Sequence, residues 1–486
     1  MKVVYRLSNK EIYNNGGLLC FRDAISKCSS LESITRRILP KGVFKTNECI
    51  MSYISNLAIG KSDFEAINLL NRESLFKATA KSKDLPSEET VRQRMDELAK
   101  ASVEFSPLGD SSLIANQKWI KANAGSEKIC ANELVSEVSI EFLKRSKVTI
   151  SPNAFGYVTV DIDTTTLDNS KTKKEKVEFT YMNFEGYSPI AAFIGEEGWS
   201  IASELRPGAM HGQKGFGAFL QKIIARASYL TPGRQLYRMD CAFDAVENYG
   251  ILFSNHLDFV IKRNNGRITN KSELVEYARR NNLFKATEKT IIYNADLTKK
   301  SEDILEEEAI FSTEVDVNIG TTTYKAHQVY LVRLKYTDKD NNRLLFPARE
   351  VHAWMTSLPK GQEEVVIELY KQHATSEQFH SEFKTDLDLV RLPSGKFETN
   401  KLVFNLAGLV YNVLKFLGNN AESEHVQMKR HTSKRRRIRT IIQEVINVPI
   451  MLGRHARNML INFCRHSHNF ALLANIQDRM GMVALR

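Results

Sequence analysis

The order of strand and helix patterns between residues 157 and 262 restricts the fold more than any other feature of the sequence. Strand patterns come first, one after another, and strands then alternate with helices. Residues 157–163 (YVTVDID) alternate in the manner of a half-buried strand. Strands are also predicted at 177–182, 189–194, 199–205, 235–241 and 258–262, and helices at 213–229 and 243–254. A strand meander followed by strand–helix alternation predicts a mixed α/β sheet flanked by helices.

The segments outside this region differ in character and divide the chain of 486 residues into five parts. Residues 1–150 favour helices and predict a mainly helical N-terminal domain. Residues 151–264 and 351–420 carry the two parts of the α/β core. Between them, residues 265–350 contain the acidic run Glu302–Glu308 and several strand patterns, which predict a β-rich insertion. Residues 421–486 form a basic C-terminal segment.

The positive charge of the chain is concentrated near its end. The formal net charge is +11, and residues 425–486 contain 12 Lys or Arg but 2 Asp or Glu. A basic block of this density indicates a polyanionic partner such as nucleic acid. The alternative is a solvated tail, but the apolar residues between 441 and 452 favour a folded segment. The cations predicted to contact phosphates are Lys434, Arg435, Arg436, Arg437 and Arg439.

Composition excludes several other classes of protein. No apolar run reaches about 18 residues, so no membrane-spanning segment is predicted. The first residues lack the apolar region of a secretory signal, and six scattered cysteines without C-x-x-C spacing fit a reducing compartment. These features predict a cytoplasmic protein without a disulfide framework or a structural zinc site.

Two aspartates follow strand patterns, where neighbouring strands bring their ends together. Asp163 closes the first core strand and Asp240 closes a later one. Two adjacent carboxylates repel each other unless a cation lies between them, and hard oxygen ligands favour Mg²⁺ or Mn²⁺. The alternative is that each aspartate only caps the turn that follows it. Asp161 has the same strand parity as Asp163, so either of them can face the crevice.

A polar stripe marks residues 370–384 (YKQHATSEQFHSEFK). If this segment is one helix, its spacings of three and four place one set of polar side chains on a single face, with apolar residues opposite. An ordinary solvated face is the alternative, but it explains less well why tyrosine and histidine replace the usual Lys and Glu. The stripe consists of Tyr370, His373, Glu377, His380 and Lys384.

The spacing Tyr370-x₂-His373-x₃-Glu377-x₆-Lys384 resembles the Y-R-E-K signature of insertion-sequence transposases, with His373 where arginine is usual. These transposases have an RNase H-like core with an Asp-Asp-Glu triad. The flanking motifs resemble the insertion-sequence-1380 family in particular. They include Asp161-Ile-Asp163-Thr, Arg238-Met-Asp240-Cys-Ala-Phe243 and the run at 386–393 (DLDLVRLP), and the resemblance covers about residues 157–418.

The resemblance implies an RNase H-like α/β core, interrupted by the insertion, that carries a catalytic triad of Asp163, Asp240 and Glu377. The triad would hold two divalent ions, Mg²⁺ or Mn²⁺. The family pattern places a small residue and a threonine after the first ligand, which favours Asp163 over Asp161. The implied activity is cut-and-paste transposition: binding of terminal inverted repeats, strand cleavage and strand transfer. The alternatives are a metal-dependent nuclease and a catalytically inactive, transposase-derived DNA-binding protein.

The resemblance also implies partners and DNA contacts. Tyr370, His373 and Lys384 would contact phosphates beside the metals, and histidine in place of arginine would make one contact depend on pH. The N-terminal domain would bind DNA ends, and the C-terminal segment would contact DNA or mediate dimerisation. We therefore expect double-stranded DNA as the partner, a homodimer in the DNA complex, no membrane, and a location at the prokaryotic nucleoid.

Overall fold

The computed structural model describes residues 11–38, 46–72, 85–104, 128–293, 299–340, 342–422, 435–455 and 458–481. In this part of the chain, strands and helices combine in a mixed α/β fold, as predicted. Lys434, one of the predicted DNA contacts, lies outside the described residues.

The N-terminal region is helical. A side-chain oxygen of Ser87 accepts the Thr90 amide proton at 3.2 Å and so caps the fifth helix at its start. One short antiparallel strand pair precedes the sixth helix. The elements are α1 (Leu18–Cys28), α2 (Leu31–Ile38), α3 (Thr46–Ala58), α4 (Ile67–Arg72), α5 (Glu88–Lys100), β1 (Ser102–Glu104), β2 (Lys128–Cys130) and α6 (Ala131–Arg145).

Five strands form the core half of a nine-stranded sheet, in the order β8-β7-β3-β9-β10. Strands β3, β7 and β8 are antiparallel, whereas β9 runs parallel to both β3 and β10. Because parallel strands need a crossover, a helix precedes each of β9 and β10. The elements are β3 (Val158–Thr164), β7 (Ile190–Ile194), β8 (Trp199–Glu204), α7 (Phe216–Leu230), β9 (Gln235–Met239), α8 (Val246–Ser254) and β10 (Asp258–Lys262).

Between β3 and β7 the chain forms a small separate sheet, in the order β4-β6-β5. Its strands are β4 (Leu167–Asp168), β5 (Glu178–Phe179) and β6 (Glu185–Tyr187), all paired antiparallel.

The predicted insertion contains four long antiparallel strands that continue the core sheet. Strand β14 pairs with β10, and β13, β12 and β11 follow outwards. The elements are α9 (Lys271–Arg280), β11 (Lys285–Tyr293), β12 (Lys299–Ile319), β13 (Thr322–Thr337) and β14 (Arg343–Thr356). The described strands of residues 265–350 are thus an extension of the core sheet rather than a sheet of their own.

The last part of the chain contains the long helix around which the other helices pack. Helix α12 contacts α3, α5, α6 and β8, so one hydrophobic core crosses the predicted boundary at residue 150. The elements are α10 (Glu363–Lys371), α11 (Ala374–Ser381) with a π-helical turn at Glu382–Asp386, α12 (Phe397–Ala421), α13 (Ile438–Ile441) with a π-helical turn at Ile442–Ile446, β15 (Ile450–His455), β16 (Asn458–Phe463) and α14 (Asn469–Arg479).

By length and composition alone, α12 is one helix of the described chain that could cross a membrane. However, 94% of its most apolar window is buried inside the protein, as is typical of a core helix. This burial agrees with its position among the N-terminal helices, the sheet and the C-terminal helices.

Candidate active site

Asp163 and Asp240 are adjacent because β3 and β9 are parallel and in register. Ile162 pairs with Met239, and the two aspartates are the next residues on their strands. Neighbouring strands lie about 4.8 Å apart, so two carboxylates meet at one edge of the sheet. Burial and the negative charge of Asp240 raise the pKa of Asp163 to about 7, and the charge of Glu377 adds to this effect.

Each of the two carboxylates also caps the local backbone, as the alternative interpretation proposed. An Asp163 oxygen accepts the Thr164 amide proton at 2.7 Å, and an Asp240 oxygen accepts that of Ala242 at 3.0 Å. Both bonds use the Oδ1 atom. Capping therefore leaves the Oδ2 atom of each carboxylate available to a ligand.

Lys262 extends this row of strand ends and was not predicted as a site residue. Ile261 on β10 pairs with Met239, so Lys262 comes next in register beside Asp240. Burial raises the pKa of Asp240, while the positive charges of His373, Lys262 and His211 lower it. The signal that could have identified Lys262 is its position as the last residue of the third parallel strand.

Glu377 lies on α11, which packs on β3 and β7. The helix is held by Phe379, which is buried and has its ring centroid 5.4 Å from that of Phe193. Gly198, at φ +69°, faces the Phe379 ring, and a Cβ atom on residue 198 would lie 2.3 Å from the nearest carbon of that ring. This close approach requires glycine. Glu377 itself is exposed, and its charge acts on Asp163.

Asp161 and Asp163 have different environments. Asp161 is buried and accepts two hydrogen bonds from the Arg238 guanidinium, both at 2.7 Å, and His373 Nδ1 lies 2.7 Å from its Oδ1. Burial raises the pKa of Asp161, but Arg238 and His373 outweigh it and hold the value at about 2. Asp161 is thus occupied by internal partners, whereas Asp163 has no ion pair with any described residue.

The polar stripe does not lie on one continuous helix. Helix α10 ends at Lys371, and α11 begins at Ala374, with His373 at its N-cap. His373 is the residue predicted to take the place of the phosphate-binding arginine. Its side chain is buried, its Nδ1 is bound to Asp161, and its Nε2 has no hydrogen-bond partner among the described residues. His380 is also buried, against the Phe193 ring, and burial lowers its pKa to about 3.

Of the other two stripe residues, Tyr370 lies near the carboxylates and Lys384 lies beside Thr166. Tyr370 is half-buried, and burial together with the charges of Asp240 and Asp163 raises its pKa well above the ordinary value. Its ring lies 6.0 Å from the Lys262 Nζ atom. Lys384 is half-buried, with its Nζ 3.4 Å from the Thr166 carbonyl oxygen. The Tyr370 side chain therefore remains near the predicted site.

Three of the basic C-terminal residues, Arg435, Arg437 and Arg439, pair with acidic residues of the π-helical turn after α11. Arg435 pairs with Glu382, and Arg437 donates two hydrogen bonds to Asp386, at 2.9 and 3.0 Å. Arg436 is buried and contacts the Glu422 carboxylate. The Arg437 and Arg439 side chains keep 48% and 65% of their surface exposed. The four described cations thus all pair with carboxylates of the protein, but Arg437 and Arg439 also remain accessible to solvent.

A cavity of about 1220 Å³ lies between α11 and this basic segment. Glu377, Gln378 and Ser381 line one side, and Arg435 and Arg437 line another. Asp163 and Asp240 do not line it. Of the predicted triad, the cavity therefore contacts Glu377 alone, and it also reaches the Asp161–Arg238 ion pair.

The donor set fits a hard divalent cation in part. Asp163 and Asp240 offer carboxylate oxygens, and a bound cation would offset the burial and the Asp240 charge that raise the pKa of Asp163. Across the described ranges, however, no three or more His, Cys, Asp or Glu side chains already lie close enough together to hold a metal ion. Glu377 is near enough to act electrostatically on Asp163 without completing such a group.

The fold and the site define a mixed α/β protein with two carboxylates at adjacent parallel strand ends. Residues 2–483 match the family model described as Transposase DDE domain group 1. The chain therefore belongs to this family of DDE transposases, which confirms the predicted class.

No curated protein matches the sequence. Among solved structures, the chain is similar to one in the cryo-EM structure of the piggyBac transposase synaptic complex with hairpin DNA. The TM-score is 0.40 and the identity 10%, over 99% of this chain and 86% of that chain.

Proposed function

We propose that the protein is a divalent-metal-dependent DNA transposase of an insertion sequence. It binds the terminal inverted repeats of its element and catalyses strand cleavage and strand transfer, in a cut-and-paste reaction. The single observation that carries this proposal is the juxtaposition of Asp163 and Asp240 at the ends of β3 and β9. The motifs around these aspartates favour an RNase H-like core of the insertion-sequence-1380 type.

Asp163, Asp240 and Glu377 would hold two Mg²⁺ or Mn²⁺ ions. Bound there, the ions would stabilise the negative charge on the attacking and leaving oxygens of a phosphodiester. Asp163 and Asp240 supply the rigid part of the site because they end paired strands. Glu377 supplies the adjustable part, because α11 is a separate helix with an exposed carboxylate.

The surrounding side chains position the site and its substrate. Lys262 and Tyr370 lie beside the carboxylates, where an ammonium and a phenol can donate hydrogen bonds to phosphate oxygens. Asp161, Arg238 and His373 hold the α10–α11 junction on the sheet. Double-stranded DNA is the partner in this proposal. Two element ends must be joined, which favours a homodimer in the DNA complex, at the nucleoid in the cytoplasm.

The test is cleavage of a duplex that carries the inverted repeat flanking this reading frame, in Mg²⁺. Asp163→Asn, Asp240→Asn and Glu377→Gln should each abolish cleavage and leave end binding measurable. Asp168→Asn is the matched control, because Asp168 is an exposed aspartate on β4. Cleavage at the wild-type rate by any triad variant would contradict the proposed mechanism.

A catalytically inactive DNA-binding protein is the second candidate function. The observation that favours it is the lack of a three-residue metal group in the part of the chain that is described. In that case the wild-type protein would bind the repeat but neither cleave it nor join it to target DNA in Mg²⁺ or Mn²⁺.

A further inference from the structure

The β5–β6 hairpin ends in a rigid turn close to the candidate site. The Thr180 amide donates to the Phe184 carbonyl at 2.9 Å, and the Asn183 amide donates to the Thr180 carbonyl at 3.0 Å. Asn183 adopts φ +61°, a left-handed conformation that asparagine tolerates better than most residues. The hairpin tip therefore has a defined shape before any partner binds.

Three large apolar side chains at this tip face solvent. Phe179 and Tyr181 are each 63% exposed, and Met182 is 58% exposed. Exposed apolar residues are ordinary when single, but a contiguous group marks a contact surface. Leu345 and Phe346 on β14 form another exposed apolar pair, in the predicted insertion.

The tip is close to the catalytic carboxylates. A side-chain hydrogen bond joins Tyr181 to Thr164, and the Ala209 amide donates to the Glu178 carboxylate of β5 at 3.1 Å. Thr164 is also the last residue of β3 and follows Asp163 directly. The exposed group is thus continuous with the edge of the sheet at which phosphodiester chemistry is proposed.

The segment that leads into the hairpin is basic and anchored. Lys171, Lys173 and Lys176 are exposed, whereas Lys174 turns inwards and donates to the Leu392 carbonyl and to the Asn169 side chain. The Glu175 amide also donates to the Gly395 carbonyl at 2.9 Å. Exposed lysines and exposed aromatic groups therefore stand on one fixed element, which also carries Glu178 and Glu185, and this mixed polar and aromatic surface fits nucleic acid better than an apolar protein surface.

We propose that the tip of the β5–β6 hairpin packs Phe179, Tyr181 and Met182 against unstacked DNA bases beside the scissile bond, while Lys171 and Lys173 contact the adjacent phosphates. This inference rests on the proposed function and names the element that opens the duplex there. Every base presents a flat face, so the contact is independent of sequence. Its role is to separate bases at the end without recognising the repeat.

The test uses the full chain and an end duplex with 2-aminopurine at the positions flanking the cleavage site, whose fluorescence rises when the base unstacks. The variant is Phe179→Ser/Met182→Ser, which spares the contact of Tyr181 with Thr164. The matched control is Leu345→Ser/Phe346→Ser. We expect the wild type and the control to raise the fluorescence, and the hairpin variant to lose the rise and bind the end about tenfold more weakly.

A second variant tests the charges, because Lys171→Gln/Lys173→Gln should reduce the slope of log affinity against log salt by up to about 1.8. If the wild type cleaves the end and the hairpin variant keeps full fluorescence and affinity, the inference is overturned and the proposed function stands. If the hairpin variant changes only the oligomeric state in mass photometry, the tip is a protein contact and the inference is again overturned. A wild type that does not bind the end duplex would overturn both.

Discussion

Asp161 and Arg238 face each other across the parallel strands β3 and β9 and form a buried ion pair with two hydrogen bonds of 2.7 Å. The same guanidinium donates to the Leu369 carbonyl at 2.8 Å, and the same carboxylate binds His373. One ion pair therefore ties the end of α10 and the start of α11 to the two strands that carry Asp163 and Asp240. The position of Glu377 depends on this connection.

Asp161→Asn should lower the free energy of unfolding by about 3–5 kcal/mol, because it leaves the buried Arg238 guanidinium without a compensating charge. Urea denaturation followed by circular dichroism measures the change. Asp168→Asn, on an exposed carboxylate, is the control and should change the free energy by less than about 0.5 kcal/mol. A loss below about 1 kcal/mol for Asp161→Asn would show that the pair contributes little.

His373→Arg distinguishes a buried structural histidine from a phosphate ligand. The sequence alone predicts that arginine is tolerated, because arginine is usual at this position of the signature. The structure predicts destabilisation, because a second guanidinium would be buried next to Arg238 and would compete for Asp161. We expect a loss of about 2 kcal/mol or more, as for other buried, unpaired charges. Retained stability with tighter end binding would support the phosphate contact.

Asp163 should make stability depend on pH when no divalent cation is present. Its pKa is raised to about 7 in the folded protein from an ordinary value of 3.8, so the folded state binds the proton more tightly than the unfolded state. The stabilisation by this proton is fully present below about pH 4, declines as the pH rises from about 4 towards 7, and is lost above about pH 7.

The melting temperature in EDTA should therefore fall from pH 6 to pH 8 more in the wild type than in Asp163→Asn. Addition of Mg²⁺ should reduce the fall in the wild type, because the ion replaces the proton. If the melting temperatures of the two proteins fall equally with rising pH in EDTA, the pKa of Asp163 is not raised in the folded protein.

The core strands could be predicted from sequence because each is short, apolar and bounded by polar residues, and the aspartates that end two of them were found in this way. Strand parity did not distinguish Asp161 from Asp163, and only the family resemblance favoured Asp163. Both have the same parity, and only the register of β3 with β9 shows that Asp161 faces Arg238. Lys262 was not predicted for a related reason. It lies beside Asp240 only because β10 pairs with β9, and the sequence does not reveal this pairing.

The polar stripe was placed on one helix because a spacing of three and four residues does not reveal a break. The break arises from tertiary contacts. His373 turns inwards to Asp161, and the His373 amide bonds to the Tyr370 carbonyl at 2.9 Å in a tighter turn. Similarly, the basic cluster suggested solvent-facing cations, because sequence alone does not show that Glu382 and Asp386 lie against it.

The pairing of Arg435 with Glu382 predicts that this arginine stabilises the fold rather than the DNA complex. The Arg435 side chain is 16% exposed and that of Glu382 4%. A double-mutant cycle with Arg435→Gln and Glu382→Gln should give a coupling energy of about 0.5–3 kcal/mol in unfolding experiments.

The salt dependence of end binding should not change in Arg435→Gln, because the positive charge of Arg435 is already neutralised by Glu382. Arg439→Gln is the comparison, since Arg439 is 65% exposed, and it should lower the salt slope by up to about 0.9. A coupling near zero, with a reduced salt slope for Arg435→Gln, would instead assign Arg435 to the DNA contact.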